Sequence, residues 1–248
     1  MKKHIIIENF LLRFSKFSNR VFGYFIRNRL GRIVQQLKQK KIKINYIYDI
    51  GANKGEWSNF YKKTSLSNSK FYLFEANKEH KQNLEKTNFS YFFGVLSNKK
   101  KIVKFYNNNN STGDSYYKEN TENHQNIVAK KIKTKTLNEI VKNNNLPLPD
   151  LIKLDVQGAE LDILKGGDKI LKNCKILYLE CPIIAKFNQN NLNILHYLKF
   201  ADSLGFMPFD INQISYYHGY LVQLDIIFIK KKVALKLGLS SKLLKSFY

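Results

Sequence analysis

Cysteine is nearly absent from this 248-residue chain, and the two it has, Cys174 and Cys181, fit neither a metal nor a redox spacing. They read as reduced, inert core thiols. Acidic residues are also scarce, 19 against 42 lysines and arginines, which leaves a formal net charge of +23. No run of about eighteen apolar residues occurs, so no segment is expected to cross a bilayer as a helix. The N-terminus, MKKHIIIENFLLRF, begins like a secretory signal, but Glu8, Asn9 and Arg13 interrupt its apolar run and no small-residue cleavage site follows. The expectation is a retained N-terminus and a cytoplasmic protein. Also missing are an internal repeat, a G-x-G-x-x-G dinucleotide fingerprint and an NPPY-like tetrad for base methylation.

A strongly basic chain raises nucleic acid as a partner. Here the lysines are scattered over most segments rather than set in one stripe interleaved with aromatics, and Asn, Ile, Tyr and Phe are over-used as well. Lysine then reads as the default surface residue, which argues against nucleic acid. A nucleic-acid-binding or nucleic-acid-methylating protein stays as the alternative that the charge motivates.

One domain with extensions is the simplest organisation at this length. Residues 1–43 read as a basic helical extension, with Ile7, Phe10, Leu11 and Phe14, then Val21, Tyr24, Phe25, Ile33 and Leu37, at helical spacing. Such a segment either caps the core or lies on an anionic membrane face, a peripheral contact at the inner membrane. Residues 44–232 alternate short apolar runs with helical patterns, and 233–248 form a basic tail.

Within 44–232 the spacing predicts strands at 44–50, 70–76, 90–96, 151–156 and 175–182, with helices at 56–64, 78–86, 136–144, 159–171 and 191–204. Gly166 and Gly167 are placed to kink or split the fourth of these helices, and Gly205 to close the last. Mostly continuous apolar strands separated by helices argue a parallel sheet covered on both faces. KIVKFY and IVAKKIKT look like two strands around a long polar loop, 107–126, read as disordered surface or a flap. GFMPFDI and LVQLDIIFI form a closing hairpin-like pair around QISYYHGY.

The stretch YIYDIGANKGEW, 46–57, organises the rest. A strand ending in Asp49-Ile50 meets Gly51-Ala52-Asn53-Lys54-Gly55 and enters a helix, which aims backbone N–H groups and a helix N-terminus at one spot. Gly51 and Gly55 allow a close approach of the backbone to a ligand. Glu75 closes the next strand, and a carboxylate there can accept both hydrogen bonds of a ribose diol. That acid suits NAD and S-adenosylmethionine alike.

DIGANKG, FEA, GVLS, TLNEIV and LIKLDVQGAEL, followed by LYLE and QLDIIFIKK, together resemble the FkbM family of S-adenosylmethionine-dependent methyltransferases over residues 44–232. The resemblance implies a Rossmann-like class I methyltransferase fold, an α/β arrangement with a seven-stranded, mostly parallel sheet and helices on both faces. It implies S-adenosyl-L-methionine as cofactor and a hydroxyl on a sugar, glycan or secondary metabolite as acceptor. Asp49, Gly51, Ala52, Asn53 and Gly55 would surround the methionine end and ribose, Glu75 would hold the ribose hydroxyls, and Ala76, Asn77, Val95 and Leu96 would flank the adenine. Asp155 would sit beside the sulfonium and is the first candidate for a base, followed by Glu160 and Glu180. Glu160 also reads as a partner of its helix N-terminus, and His196 and His218 as surface or core-edge residues. No cluster of ligands demands a metal, although Asp155 with Glu180 could bind one, and loss of turnover in a membrane-associated protein of the same fold is the other alternative.

Overall fold

The computed structural model describes residues 28–107, 113–118, 128–183, 189 and 192–239. The predicted helical faces of residues 1–27, most of the polar loop and residues 240–248 lie outside them.

The strands in chain order are β1 (Tyr46–Ile50), β2 (Lys70–Glu75), β3 (Ser90–Phe93), β4 (Ile102–Tyr106) and β5 (Ala129–Lys133), then β6 (Leu151–Leu154), β7 (Ile176–Pro182), β8 (Phe206–Tyr217) and β9 (Tyr220–Lys230). Seven of them form one sheet in the order β3-β2-β1-β6-β7-β9-β8, and β4 pairs with β5 as a separate antiparallel ribbon. The pairs β3–β2–β1–β6–β7 are all parallel, and β9 and β8 add to the edge antiparallel. The expected seven-stranded, mostly parallel sheet is therefore present. Its chain order reverses between β1 and β6, and in such sheets the ligand crevice opens at the carboxyl ends of the strands at that point.

The helices are α1 (Arg29–Gln39), α2 (Glu56–Lys63), α3 (Lys81–Glu85), α4 (Leu137–Asn143), α5 (Glu160–Lys165), α6 (Asp168–Leu171), α7 (Ile194–Ser203) and α8 (Lys231–Lys236). They divide between two cores, one on each face. Leu137, Leu164, Ile170, Tyr197 and Ala201 pack on one side against Ile152 and Leu177. Leu30, Ile33, Val34, Leu37, Tyr61, Leu84 and Val233 pack on the other against Ile47 and Phe71. The apolar face of α1, including Ile33 and Leu37, is thus buried in the core and not offered to a membrane. No described helix is long and apolar enough to cross one.

Local chemistry explains the element ends. Asn28 caps α1 through Gly31 N–H, Thr136 caps α4 through Glu139 N–H, and Asn193 with His196 forms a capping box on α7. The predicted helix at 159–171 is split into α5 and α6 at Gly166-Gly167, and Gly166 has no room for a side chain: a Cβ there would meet the Ser97 carbonyl at 2.2 Å. The helix expected at 78–86 is a 3-10 turn, Lys78–His80, followed by the short α3. The third strand stops at Phe93 rather than running to 96, and Leu96 makes only an isolated bridge to Lys135. The closing hairpin is longer than predicted. QISYY continues β8, and the chain turns at His218-Gly219, both at positive φ (47° and 80°), the geometry of a tight hairpin turn.

Candidate active site

A cavity of about 420 Å³ lies at the carboxyl ends of β1, β2, β6 and β7. It falls within the size range of small-molecule sites. Ile50, Gly51, Ala52 and Asn53 line it from β1, Glu75 and Ala76 from β2, Val95 and Leu96 from beyond β3, Asp155 to Gln157 from β6 and Glu180 from β7.

The glycine turn is built for close approach, but not as a nest of free donors. Gly51 sits at φ 75°, and a Cβ on it would meet the Asp155 carbonyl at 1.9 Å. The N–H groups of Gly51 and Ala52 both donate to the Phe74 carbonyl, at 2.9 and 3.1 Å, Asn53 N–H donates to Glu75 Oε2 at 2.7 Å, and Gly55 N–H donates to the Ala52 carbonyl at 2.7 Å. The expectation of several N–H groups aimed at one ligand is corrected for these four, which are engaged within the protein. What reaches the cavity is the Glu75 carboxylate, which Asn53 N–H supports. Glu75 Oε1 also accepts Asn77 N–H at 2.8 Å, so each oxygen is oriented by one backbone donor. Burial pushes its carboxyl above the ordinary glutamate value, with those bonds pulling it back.

Asp49 lies beneath the turn with no exposed surface and does not line the cavity. It accepts the Ser58 hydroxyl at 2.6 Å and faces Lys153 Nζ at 3.2 Å. Burial pushes the Asp49 carboxyl up, and Lys153 and Ser58 oppose this. Burial likewise works against the charge of Lys153, but Asp49 and then Asp155 hold its ammonium above the usual lysine range. Asn77, also buried, sits just outside the lining and caps the 3-10 turn at Glu79 N–H.

Asp155 and Glu180 both face the cavity and are joined by one side-chain amide. Gln157 Nε2 donates to Asp155 Oδ1 at 3.1 Å and to Glu180 Oε2 at 2.8 Å. Lys153 approaches Asp155 Oδ2 at 3.5 Å. Burial, then the charges of Asp155, Glu160 and Asp225, raise the Glu180 carboxyl well above the ordinary range. Glu160 is placed elsewhere. It is buried and outside the lining, with Oε1 accepting the N–H groups of Val156 (3.0 Å) and Gly158 (3.2 Å) and Oε2 accepting the Tyr197 hydroxyl (2.6 Å). It fixes the loop that carries Asp155. His196 serves the α7 cap and His218 the hairpin turn, away from the cavity. Cys174 and Cys181 are buried free thiols. No group of three or more metal-ligating side chains occurs among the described residues.

Sequence reasoning missed Lys153, His80, Phe105, Asp114 and Tyr116, all of which line the cavity. Lys153 left a signal: it is the one charged residue inside the apolar strand LIKL. The lining carries Glu56, Glu75, Asp114, Asp155 and Glu180 against Lys54 and Lys153. In a chain of net charge +23 this acidic cavity is a local reversal, suited to a cationic ligand rather than to a phosphate. Asn53 Oδ1 and Trp57 Nε1, on two lining residues, are buried with no hydrogen-bond partner among the described residues. Orphans of this kind call for an explanation, and a bound ligand provides one.

A model of the methyltransferase FkbM domain matches residues 49–221. Among solved structures, the chain is similar to a methyltransferase FkbM from Methylobacillus flagellatus KT at 14% identity, over 75% of this chain and 43% of that one, with a TM-score of 0.47. It is also similar to a precorrin-6y C5,15-methyltransferase from Geobacter metallireducens GS-15 (14% identity, 79% and 85% covered, TM-score 0.43). A third is a SAM-dependent methyltransferase from Aquifex aeolicus (12% identity, 77% and 86% covered, TM-score 0.39). The chain thus spans less than half of the Methylobacillus protein. A search of curated proteins gives no match.

Proposed function

The chain belongs to the FkbM methyltransferase family, and from that premise we propose that it methylates a hydroxyl of a sugar, glycan or secondary metabolite with S-adenosylmethionine. Glu75 carries the proposal: a carboxylate at the end of β2, each oxygen oriented by one backbone N–H, opening on a cavity of about 420 Å³ beside the glycine turn. Such a group can accept both hydroxyls of a ribose in charge-assisted bonds.

The donor set fits this cofactor in three ways. The charged residues of the lining are mostly acidic, which favours a sulfonium cation. The turn's N–H groups at Gly51, Ala52, Asn53 and Gly55 are already bonded, which disfavours the pyrophosphate of NAD. Asn53 Oδ1 and Trp57 Nε1, on two lining residues, are buried without a partner among the described residues, and a bound ligand would meet them. Gly51, Ala52, Asn53 and Gly55 would hold the methionine end and ribose, Ala76, Asn77, Val95 and Leu96 would border the base, and Asp155 would face the sulfonium. Asp49 would act from behind, by fixing the turn through Ser58 and Lys153. When bound, S-adenosylmethionine supplies a methyl carbon open to in-line displacement.

The rest falls to the protein. A hydroxyl is a weak nucleophile, and a base within reach of its proton helps. Asp155 and Glu180 are the lining carboxylates at the ends of β6 and β7, and Gln157 donates to both. Glu180, whose proton affinity is raised by burial and by Asp155, is one candidate. Asp155, paired with Lys153, is the other candidate. Glu160 is not proposed as the base, because its Oε1 accepts the Val156 and Gly158 N–H groups and its Oε2 the Tyr197 hydroxyl.

Calorimetric titration with S-adenosylmethionine and NAD side by side tests the cofactor assignment, with binding expected for the first alone. Preferential NAD binding would overturn it. Mass spectrometry of candidate glycans incubated with enzyme and cofactor then tests the acceptor class, through the gain of one methyl group in place of a hydrogen.

A further inference from the structure

The β4–β5 ribbon forms a two-stranded sheet of its own beside the main one. Its inner face turns to the protein, where Phe105 is buried and lines the cavity. Side chains alternate along a strand, so Ile102 and Lys104 of β4 take the opposite face. The register sets Lys131 directly across from Lys104, and Lys133 directly across from Ile102. All four are exposed. This outer face therefore carries three lysines and an isoleucine, and neither strand, IVKFY or AKKIK, contains an acid.

Two features set the face apart from a lysine-rich surface in general. Like charges directly opposite each other in an antiparallel pair repel and weaken it. Nearby lysines have carboxylates to meet: Lys100 reaches Glu139 at 2.7 Å and Lys101 reaches Asp162 at 3.3 Å. Lys104, Lys131 and Lys133 form no ion pair among the described residues. The second feature is apolar. Ile102 is 73% exposed and Val128, immediately before β5, is 83% exposed, the two highest values for large apolar side chains among the described residues.

An anion relieves a repelling cationic pair, and hydrocarbon relieves an exposed aliphatic side chain. An anionic bilayer offers both at one surface, headgroup charge above and acyl chains below. Nucleic acid offers only the first. Its sequence-tolerant binders rely on arginine and stacking aromatics, whereas the ribbon has no arginine and its most exposed apolar side chains are aliphatic.

We infer that the outer face of the β4–β5 ribbon docks on an anionic lipid surface, with Lys104, Lys131 and Lys133 at the headgroups and Ile102 at the acyl boundary. Phe105 lies on the other face of the same ribbon, so docking holds the cavity close to the bilayer. The surface is distinct from the apolar face of α1, which the core buries, and the inference does not depend on which cofactor the cavity takes.

The test is cosedimentation of the full chain with vesicles of phosphatidylcholine alone and of equal parts phosphatidylcholine and phosphatidylglycerol. Binding is expected to the second only, and should weaken as salt is added. Lys104→Gln with Lys131→Gln should weaken it about 25-fold, roughly fivefold for each lysine at an anionic surface. Lys40→Gln with Lys63→Gln removes the same charge where α1 and α2 lead into the amino ends of β1 and β2, away from the cavity edge, and should leave binding within about twofold of the parent, because that side lies beyond a Debye length from the docked lipid. Ile102→Ser should weaken binding at low and high salt alike. Failure to bind the anionic vesicles, equal weakening in the two double variants, or parental binding by Ile102→Ser would each overturn the inference. Ribbon-dependent binding to single-stranded RNA in place of vesicles would overturn it as well, and would assign the face to nucleic acid.

Discussion

Lys153 Nζ lies 3.2 Å from Asp49 Oδ1 and 3.0 Å from the Gly51 carbonyl, so one buried ammonium ties the acid of β1 to the turn that follows it. The two residues are direct neighbours in register across β1 and β6. Both are almost wholly buried, which makes the pair costly to break from one side. Lys153→Met should lower stability by about 3–5 kcal/mol, because it removes the ammonium that opposes the cost of burying the Asp49 carboxyl. Adding Asp49→Asn should recover part of the loss. Urea denaturation of both variants at neutral pH checks this, and a double variant no more stable than the single one would refute the coupling.

Glu160 and Tyr197 set a second prediction. Tyr197→Phe removes the O–H that Glu160 Oε2 accepts at 2.6 Å, leaving a buried acceptor unmet. The expected cost is about 1–3 kcal/mol in urea, with affinity for S-adenosylmethionine unchanged. Lost affinity at full stability would return Glu160 to the catalytic machinery.

Asp225 gives the fold a pH dependence. Burial raises its carboxyl from 3.8 to about 6, with the Tyr178 hydroxyl pulling down, Asp155 pushing up and Lys153 pulling down. A carboxyl with a raised folded-state value stabilises the fold while protonated, and that contribution is lost as the pH rises from 3.8 through about 6. Asp225→Asn keeps an oxygen for the Tyr178 O–H, which donates at 2.8 Å, and cannot ionise. Relative to the parent it should gain about 2–3 kcal/mol in going from pH 4 to pH 7. Stability curves that stay parallel over that range would count against the buried charge.

Much of this arrangement is legible in the sequence where one segment carries its own signal. β1 and β2 read as strands because their apolar runs are continuous, as two-sided burial requires. Glu75 stands out by closing the second strand after a glycine turn. What is not legible depends on residues that only the topology brings together. Lys153 looks like a surface lysine until β6 is set beside β1, and its partner is then Asp49. Glu160 meets Tyr197 only when α7 packs on the sheet. The far end of β8 reads as a loop because Ser215, Tyr216 and Tyr217 lie on the exposed edge strand of the sheet, where no buried face imposes alternation. Asp114 and Tyr116 come from a polar stretch whose composition resembles a linker, and only their bonds to Asn77 and Asp162 mark them as a cavity wall.

The most direct test of the central claim is calorimetric binding of S-adenosylmethionine to the unaltered chain and to Glu75→Ala. Saturable binding is predicted for the first, weakened by about 1.5–3 kcal/mol in the second, the scale of hydrogen bonds to a charged group. Equal affinity in the two proteins, with Glu75→Ala folded by circular dichroism, would contradict a ribose held by Glu75.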